Sequence, residues 1–139
     1  MNERQTKEYW NNRAKLGGSP QDLVFASTNF NEFDKNTRQL LSQYKNLKVL
    51  DVGCGYGRLS DMFEIYTGID FSDEMIKLAM EKYPGKDFRV AETVSGSFDV
   101  VFEVMCLSSL GCTEQEFADR HNAPIIICCE PHKFTIFFK

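Results

Sequence analysis

The stretch Val49-Leu50-Asp51-Val52-Gly53-Cys54-Gly55-Tyr56-Gly57 decides the fold class of this 139-residue chain. Its first half is a short apolar run, which is typical of a buried strand. Its second half places glycine at every other position, so that a ligand can approach the bare backbone. A helix N-terminus directly after such a turn would offer amide donors to that ligand. The stretch therefore predicts a strand that ends at a ligand-binding turn.

The spacing of the glycines narrows the kind of ligand. A dinucleotide-binding turn has the spacing G-x-G-x-x-G. Counted from Gly53, its third glycine would stand at position 58, which is Arg58, whereas the third glycine here is Gly57. The spacing is G-x-G-x-G, and an acid, Asp51, stands two residues before the first glycine. The sequence therefore favours a ligand other than a dinucleotide.

Further strand and helix patterns alternate along the rest of the chain. Strands are predicted over 48–52, 65–69 (ending at Asp70), 87–91, 98–104, 125–129 and 134–138. Helices are predicted after Ser72, over about 113–120, and in the amino-terminal part over 6–14 and 31–47, with two helical turns over 58–63 and a break at 17–20. This alternation predicts an α/β fold, a Rossmann-like and mostly parallel sheet with helices on both faces. We expect one domain over 1–139, with a helical segment over 1–47 and an α/β core over 48–139.

Composition excludes several classes of function. The formal net charge is -4 and lysine and arginine form no run, which argues against a duplex nucleic-acid partner. No apolar run approaches the roughly 20 residues that span a membrane. The five cysteines form no CxxC pair, so buried free thiols are expected rather than a metal site. Free thiols and a polar amino terminus predict a cytoplasmic protein.

Three stretches in register carry a family resemblance. Residues 49–59 resemble the first motif of class I S-adenosylmethionine-dependent methyltransferases. Residues 68–76 resemble the acidic end of that family's second strand, and residues 98–102 resemble its fourth strand. The resemblance covers about residues 47–110 and implies S-adenosylmethionine as the cofactor.

The resemblance also implies cofactor-binding roles for residues at the first two strand ends. Gly53, Cys54 and Gly55 would face the methionine and ribose parts of the cofactor. Asp51 would contact its amino group directly or through water. Asp70 would accept hydrogen bonds from both ribose hydroxyls.

Three further residues are implied at the edges of the same site. Phe71 would lie against the adenine, with packing in the core as the alternative. Glu92 would accept from the adenine amino group, although the family usually has Asp there, preceded by Gly. Glu103, at the end of the fourth strand, is a candidate polar contact to cofactor or substrate, or an acid that begins a helix.

The acceptor side of the site is less well defined by the sequence. Relatives often carry histidine after the fourth strand, where this chain has Ser108 and Ser109, so no catalytic residue is assigned. His121 and His132 are interpreted as incidental loop residues. The resemblance implies direct in-line methyl transfer to a small molecule. The alternatives are a cofactor-binding partner or regulator without turnover and an aminopropyl transferase.

The carboxyl-terminal part is short compared with relatives, which usually add a helix and two closing strands after the fifth strand. Here Pro131 is followed almost at once by the alternating stretch 134–138. Its three phenylalanines predict an ordered strand beside the fifth rather than a frayed tail. An uncovered edge there would be a candidate contact in a homo-oligomer. Tyr9, Trp10 and Arg13 form either a lid over the cofactor or a helix packed on the core.

Overall fold

A computed structural model describes residues 2–16 and 30–139 of the chain. Its α-helices are α1 (Lys7–Leu16), α2 (Phe30–Leu41), α3 (Asp73–Lys82), α4 (Leu107–Leu110) and α5 (Glu114–Arg120). Its strands are β1 (Lys48–Val52), β2 (Ile65–Asp70), β3 (Asp87–Val90), β4 (Val100–Val104), β5 (Ile125–Glu130) and β6 (Lys133–Phe138). Short 3-10 turns cover Glu3–Gln5, Ser42–Tyr44 and Ser60–Met62.

The described strands form one mostly parallel sheet in the order β3-β2-β1-β4-β5-β6. Neighbouring strands are parallel from β3 through β2, β1 and β4 to β5, and β6 runs antiparallel to β5. The chain leaves β1 towards β2 on one side and reaches β4 on the other. The reversal of strand order therefore falls between β1 and β4, where ligands bind in open α/β sheets.

Helices cover both faces of this sheet, as the sequence predicts. On one face, Phe33 and Leu41 of α2 pack with Ile76 and Ala79 of α3. On the other face, α5 contributes the fully buried Phe117. The core thus consists of two apolar layers separated by the sheet, which is the architecture expected for α/β domains.

Side-chain caps fix where two helices begin. The Ser72 hydroxyl accepts a hydrogen bond from the Met75 amide at 3.1 Å, so α3 begins at Asp73. Thr113 and Glu116 form a reciprocal capping box at the start of α5. Both caps are predicted by the sequence and confirmed by the structure.

The amino-terminal helix α1 packs on α3. Trp10 and Ala14 are buried against Met75 and Tyr56. The Asn11 side chain accepts hydrogen bonds from the Ser72 hydroxyl and the Glu74 amide, at the start of α3. Helix packing on the core is therefore observed, and Trp10 also reaches the cavity described below.

Several predicted boundaries differ from the structure. The helix predicted over 31–47 ends at Leu41 and continues only as a 3-10 turn, and the two turns predicted over 58–63 reduce to Ser60–Met62. Strand β4 begins at Val100 rather than residue 98, because the Asp99 carboxylate accepts the Lys48 amide at 2.9 Å and so ends the ladder with β1. The break predicted at 17–20 lies outside the described residues.

The carboxyl-terminal strand is present as predicted. Lys133–Phe138 pairs with β5 along its whole length. Phe134 and Ile136 pack on the α2 face of the sheet and Phe137 on the α5 face. Phe138 is 74% exposed, so the outer edge of β6 keeps an apolar side chain in solvent.

Three properties of the described residues bear on the class of protein. Among them, no helix combines the length and the apolar character needed to cross a bilayer. All five cysteines are free thiols. No group of histidine, cysteine and acidic side chains in the described part of the chain has a geometry that would hold a metal ion.

Candidate functional site

A cavity of about 580 Å³ opens at the carboxyl ends of β1, β2 and β4. This is the reversal point of the strand order. Residues 53–57 are here called the glycine turn, and Gly53, Cys54, Gly55 and Tyr56 of this turn line the floor of the cavity. Other lining residues come from β1 to β4 and the segments after them, from α1 and from α5: Gln5, Trp10, Asp51, Val52, Arg58, Leu59, Ile69, Asp70, Phe71, Met75, Ala91, Glu92, Thr93, Val104, Met105, Cys106, Ser109, Leu110, Phe117, Arg120 and His121.

The glycine turn is tied to β2 and open towards the cavity. The Gly53 and Cys54 amides both donate to the Ile69 carbonyl, at 2.8 and 2.9 Å. Gly53 and Gly55 have φ values of +73° and +59°, which L side chains rarely adopt. A Cβ atom added to Gly55 would meet nothing within 4 Å, so the backbone there faces open space.

Asp70 stands at the end of β2 and links two segments of the site. One carboxylate oxygen accepts the Gly55 amide at 2.9 Å, and the other accepts the Ser72 amide at 2.9 Å. Burial raises the pKa of Asp70 to about 6, against the lowering effect of these amide donors. Asp70 is 8% exposed and still lines the cavity.

Asp51 stands at the end of β1, next to the glycine turn. Its carboxylate accepts the Tyr66 hydroxyl at 2.7 Å. Burial raises the pKa of Asp51 to about 7, although this hydrogen bond and the charge of Arg58 lower it. The register pairs Val52 with Ile69, so Asp51 and Asp70 end neighbouring strands and meet in one cavity.

Phe71 and Glu92 line the cavity on the side away from β4. Phe71 is half-buried and directly follows β2, whereas Glu92 is exposed and follows β3. The Ala91 amide donates to the Asp70 carbonyl at 3.0 Å, which holds the segment after β3 against the end of β2. The structure thus brings Phe71 and Glu92 together with Asp51, Asp70 and the glycine turn, including Cys54.

Glu103 is the predicted site residue that does not reach the cavity. Its side chain is fully buried. One carboxyl oxygen accepts the Cys106 amide at 2.9 Å, and the other has no hydrogen-bond partner among the described residues. The structure places this carboxyl behind the cavity wall, so any effect on a ligand passes through the segment after β4.

Several lining residues were not singled out by the sequence reasoning. Tyr56 lies inside the glycine turn and has a buried hydroxyl with no hydrogen-bond partner in the described part of the chain. Arg58 directly follows the turn and forms an ion pair with Asp34 of α2. Both residues could have been predicted from their position in or directly after the glycine-rich motif. His121, interpreted as an incidental loop residue, lines the cavity and packs on the Phe117 ring at 4.7 Å.

The arrangement fits a ligand with both polar and flat apolar parts. Two carboxyl groups and the bare backbone of the glycine turn provide hydrogen-bonding groups near β1 and β2. Phe71, Leu110 and Phe117 provide apolar surface. The volume lies within the range of small-molecule sites, about 300–1,000 Å³. The Tyr56 hydroxyl is a further polar atom that a ligand could satisfy.

Comparison with known protein families agrees with this geometry. The family profile described as "Methyltransferase domain" matches residues 50–121, which is just over half of the chain. The matched region runs from β1 to the end of α5 and includes the glycine turn, Asp70 and Glu92.

The chain belongs to this methyltransferase family.

Other similarities extend the comparison to whole proteins and structures. The chain is 34% identical over 83 residues to "Putative methyltransferase 235L" of Invertebrate iridescent virus 6. The match covers 52% of this chain and 31% of that protein. The chain thus spans about a third of that relative. The fold is similar to magnesium protoporphyrin IX methyltransferase of Synechocystis PCC 6803 with bound SAM, with a TM-score of 0.64 and 20% identity over 92% of this chain and 76% of the other.

A sugar-modifying enzyme shares the same fold. This is CalS10, an amino pentose methyltransferase of Micromonospora echinaspora with bound SAM. It matches with a TM-score of 0.53 and 20% identity over 70% of this chain and 49% of the other. The Rossmann-like, mostly parallel sheet that the sequence predicts is therefore confirmed.

Proposed function

We propose that this chain binds S-adenosylmethionine in the cavity and transfers its methyl group to a small-molecule acceptor by direct in-line displacement. One observation carries the proposal. Asp51 and Asp70, at the ends of neighbouring strands, flank an open glycine turn and line one cavity. Family membership supports the same cofactor, and two structures with the same fold are described with bound SAM.

The two aspartates would hold the polar parts of the cofactor. Asp70 is fixed by the Gly55 and Ser72 amides, so each carboxylate oxygen keeps a lone pair for a ribose hydroxyl. Asp51 lies beside Gly53 and would face the amino group of the methionine part. An ammonium group there would favour the ionised form of Asp51 and lower its pKa from about 7.

The remaining predicted residues would hold the adenine and the sulfur-bearing chain. Phe71 offers its ring to the adenine, and Glu92 offers an acceptor for the adenine amino group. Gly53, Cys54 and Gly55 would lie along the methionine and ribose parts, because Gly55 faces open space. Glu103 would act only indirectly, since it lies behind the wall.

S-adenosylmethionine supplies, when bound, a methyl group that its sulfonium charge already activates. The residues of this chain then have to align an acceptor and exclude water. Trp10 of α1 lines the cavity and is 9% exposed, so it would contribute to that exclusion. A base is needed only if the acceptor must lose a proton.

A small-molecule acceptor is supported by charge and by relatives. The net charge of -4 disfavours nucleic acid. Neighbours in fold are described as acting on magnesium protoporphyrin IX and on an amino pentose, both small molecules.

Cofactor binding without turnover is the second candidate function. The residues after β4 favour binding without turnover. Cys106 places a thiol beside Gly53, and burial raises the pKa of that thiol well above its usual value. A protonated thiol is a poor base. The adjoining Ser108 and Ser109 offer no imidazole either.

Calorimetry with S-adenosylhomocysteine tests the shared part of both candidates, with NAD as the control ligand. We expect S-adenosylhomocysteine to bind and NAD to give no heat, because the glycine spacing is G-x-G-x-G. Binding of NAD alone would refute the cofactor assignment. Release of S-adenosylhomocysteine from labelled cofactor across a panel of small acceptors would then separate turnover from binding alone.

The carboxyl-terminal edge is a separate proposal. The outer edge of β6 and the exposed Phe138 form a candidate contact between two copies of the chain. Light scattering of the wild type and of Phe138→Ser would test it. A wild type that is monomeric at all concentrations would refute the contact.

A further inference from the structure

Two carboxyl groups, each with a buried oxygen atom, lie on the same face of the sheet behind the cavity. Glu103 of β4 pairs in register with Cys128 of β5. Because residues two apart in a strand share a face, Glu130 lies on the face of Glu103, one step diagonally along β5. Each carboxyl has an Oε2 atom that is buried without a hydrogen-bond partner among the described residues.

Two adjacent carboxylate oxygens without a donor are costly to bury. One proton removes this cost, because a protonated carboxyl donates its O–H to the neighbouring carboxylate. Burial and the neighbouring Glu130, by its charge and as a hydrogen-bond partner of the protonated form, raise the pKa of Glu103 well above its usual value. A proton shared between the two carboxyls would therefore neutralise the pair.

The other oxygen of Glu103 holds a strained turn of the main chain. Oε1 accepts the Cys106 amide at 2.9 Å. Met105, immediately before it, has a φ of +56°, and no other non-glycine residue in the described ranges has a positive φ. L residues disfavour this region, so it persists where surrounding contacts enforce it. Met105 and Cys106 are called the β4 turn below.

The β4 turn supports the floor of the cavity. The Cys106 thiol donates to the Gly53 carbonyl at 3.1 Å. A Cβ atom on Gly53 would lie 2.7 Å from the Cys106 sulfur, so the two turns are in direct contact. Met105 and Cys106 both line the cavity. A shift of the β4 turn would therefore change the place where the cofactor is proposed to lie.

We propose that Glu103 and Glu130 share one proton, and that Glu103 is a positioning residue that keeps the β4 turn pressed against Gly53. The proton lets Glu103 donate to Glu130 through Oε2 while Oε1 accepts the Cys106 amide. When that proton leaves, two buried negative charges repel each other, and the β4 turn loosens. The cofactor-binding consequence rests on the proposed function, whereas the shared proton and the turn do not.

The surroundings of the pair are acidic or neutral. The titratable groups that act on Glu103 or on its strand neighbours are Glu130, Cys128, Cys129, Cys106, Cys112, Glu114 and Asp51. Among the described residues, cationic groups lie near this cluster at Glu114, whose carboxylate is 3.7 Å from both His132 and Lys133, and at Cys112, on which the charge of Arg120 acts. No named cation contacts the pair itself, so the shared proton is what neutralises it.

Hydrogen exchange of the Cys106 amide in the full chain without ligand tests the proposal. Glu103→Gln keeps an acceptor for Cys106 and a permanent donor for Glu130, whereas Glu103→Met keeps neither. We expect Cys106 protection within about threefold of wild type in Glu103→Gln, and at least about tenfold lower protection in Glu103→Met. Glu114→Gln is the matched control, since Glu114 also has a buried unpartnered oxygen but no bond to Cys106; it should leave protection unchanged.

The pH profile separates positioning from a merely structural role. As pH rises above the ordinary range of a glutamate side chain, wild-type Cys106 protection and S-adenosylhomocysteine affinity should fall relative to Glu103→Gln, because only the wild type can lose the shared proton. Parallel profiles of the two proteins would overturn the proposal even if Glu103→Met fails to fold. Equal protection of Cys106 in Glu103→Met would also overturn it.

The binding and hydrogen-exchange measurements test the proposed function and the shared proton separately. Absence of S-adenosylhomocysteine binding by the wild type would refute the proposed function, and the exchange profiles would still decide whether Glu103 and Glu130 share a proton. Normal binding with flat exchange profiles would refute the shared proton and leave the proposed function standing.

Discussion

The two sides of the cavity use buried acids in opposite ways. On the β1–β2 side, Asp51 and Asp70 face into the cavity, and Asp70 accepts the Gly55 amide of the glycine turn and the Ser72 amide directly after β2. On the β4–β5 side, Glu103 faces away from the cavity, and its partner Glu130 comes from another strand. The first side is suited to contact a ligand, whereas the second holds the shape of the wall.

The acids on the two sides of the cavity also differ in their protonation. Burial raises the pKa of Asp51 to about 7 and that of Asp70 to about 6, so a cationic or hydroxyl-rich ligand can still find them ionised near neutral pH. Burial and the neighbouring Glu130 raise the pKa of Glu103 well above its usual value. An acid that must meet a ligand keeps access to its charge, and an acid that supports a wall gives it up.

Gly53→Ala should have the largest effect, because it disrupts the contact between the glycine turn and Cys106. The new Cβ would lie 2.7 Å from the Cys106 sulfur, and the φ of +73° is strained for alanine. We expect the free energy of unfolding to drop by about 2–4 kcal/mol, from strain and overpacking together. Urea unfolding measures this loss.

Gly55→Ala is the matched control for that change. Its φ of +59° is similarly strained, but its Cβ would meet nothing within 4 Å. It should cost less stability than Gly53→Ala, and Cys106→Ala should rescue part of the loss in Gly53→Ala but not in Gly55→Ala. Equal losses without rescue would show that the two turns are not coupled through the sulfur.

Asp70→Ala removes the acid that links the glycine turn to α3. It leaves the proposed ribose hydroxyls and the Gly55 amide unmatched, so S-adenosylhomocysteine affinity should drop by about 1–3 kcal/mol in calorimetry. Asp99→Asn is the control, because Asp99 also accepts a backbone amide but lies outside the cavity lining. Unchanged affinity in a folded Asp70→Ala would remove this residue from the site.

The pH dependence of stability should reveal the acids of the β1–β2 side. Their folded pKa values of about 7 and about 6 exceed the ordinary 3.8, so the folded state holds more protons than the unfolded state across that range. The free energy of unfolding of the free protein should therefore fall as pH rises from about 4 to about 7, by at most about 1.4 kcal/mol per pH unit for each group.

Asp51→Asn should flatten this slope, and urea titrations at a series of pH values would measure the difference. The affinity for S-adenosylhomocysteine should change in the opposite sense and increase as Asp51 ionises near pH 7. A slope that is the same in wild type and Asp51→Asn would contradict the assignment.

Tyr56→Phe should produce the smallest effect. The buried Tyr56 hydroxyl has no hydrogen-bond partner in the described residues, so its removal should leave the free protein as stable or slightly more stable. If a bound cofactor satisfies this hydroxyl, affinity should fall by about 0.5–1.5 kcal/mol. Tyr44→Phe is the control outside the cavity lining, and equal calorimetric affinities for both variants would show that the ligand does not reach Tyr56.

The comparison also explains what could be predicted from the sequence. The β1–β2 side is built from contiguous motifs, so residues 49–57 and 68–76 predict its strand ends, its turn and its acids. The caps at Ser72 and Thr113 are equally local, and the structure confirms them. Glu92 follows β3 and lines the cavity, and its contact with an adenine amino group stays a prediction.

The β4–β5 side could not be predicted in this way, because its contacts join residues far apart in the chain. Glu103 stands at the end of a strand, where the sequence favours a ligand contact, but the diagonal pairing with Glu130 depends on the register of β4 and β5. The position of Cys106 against Gly53 depends on a left-handed Met105, which no residue preference indicates. Phe117 and His121 reach the cavity only through the placement of α5.

The contact between Gly53 and Cys106 has a consequence for how this sequence can drift over generations. A side chain at position 53 has no room while sulfur occupies position 106 and both turns keep their place. Whether position 53 tolerates a substitution therefore depends on the residue at position 106, so two sites 53 positions apart along the chain are coupled by steric contact.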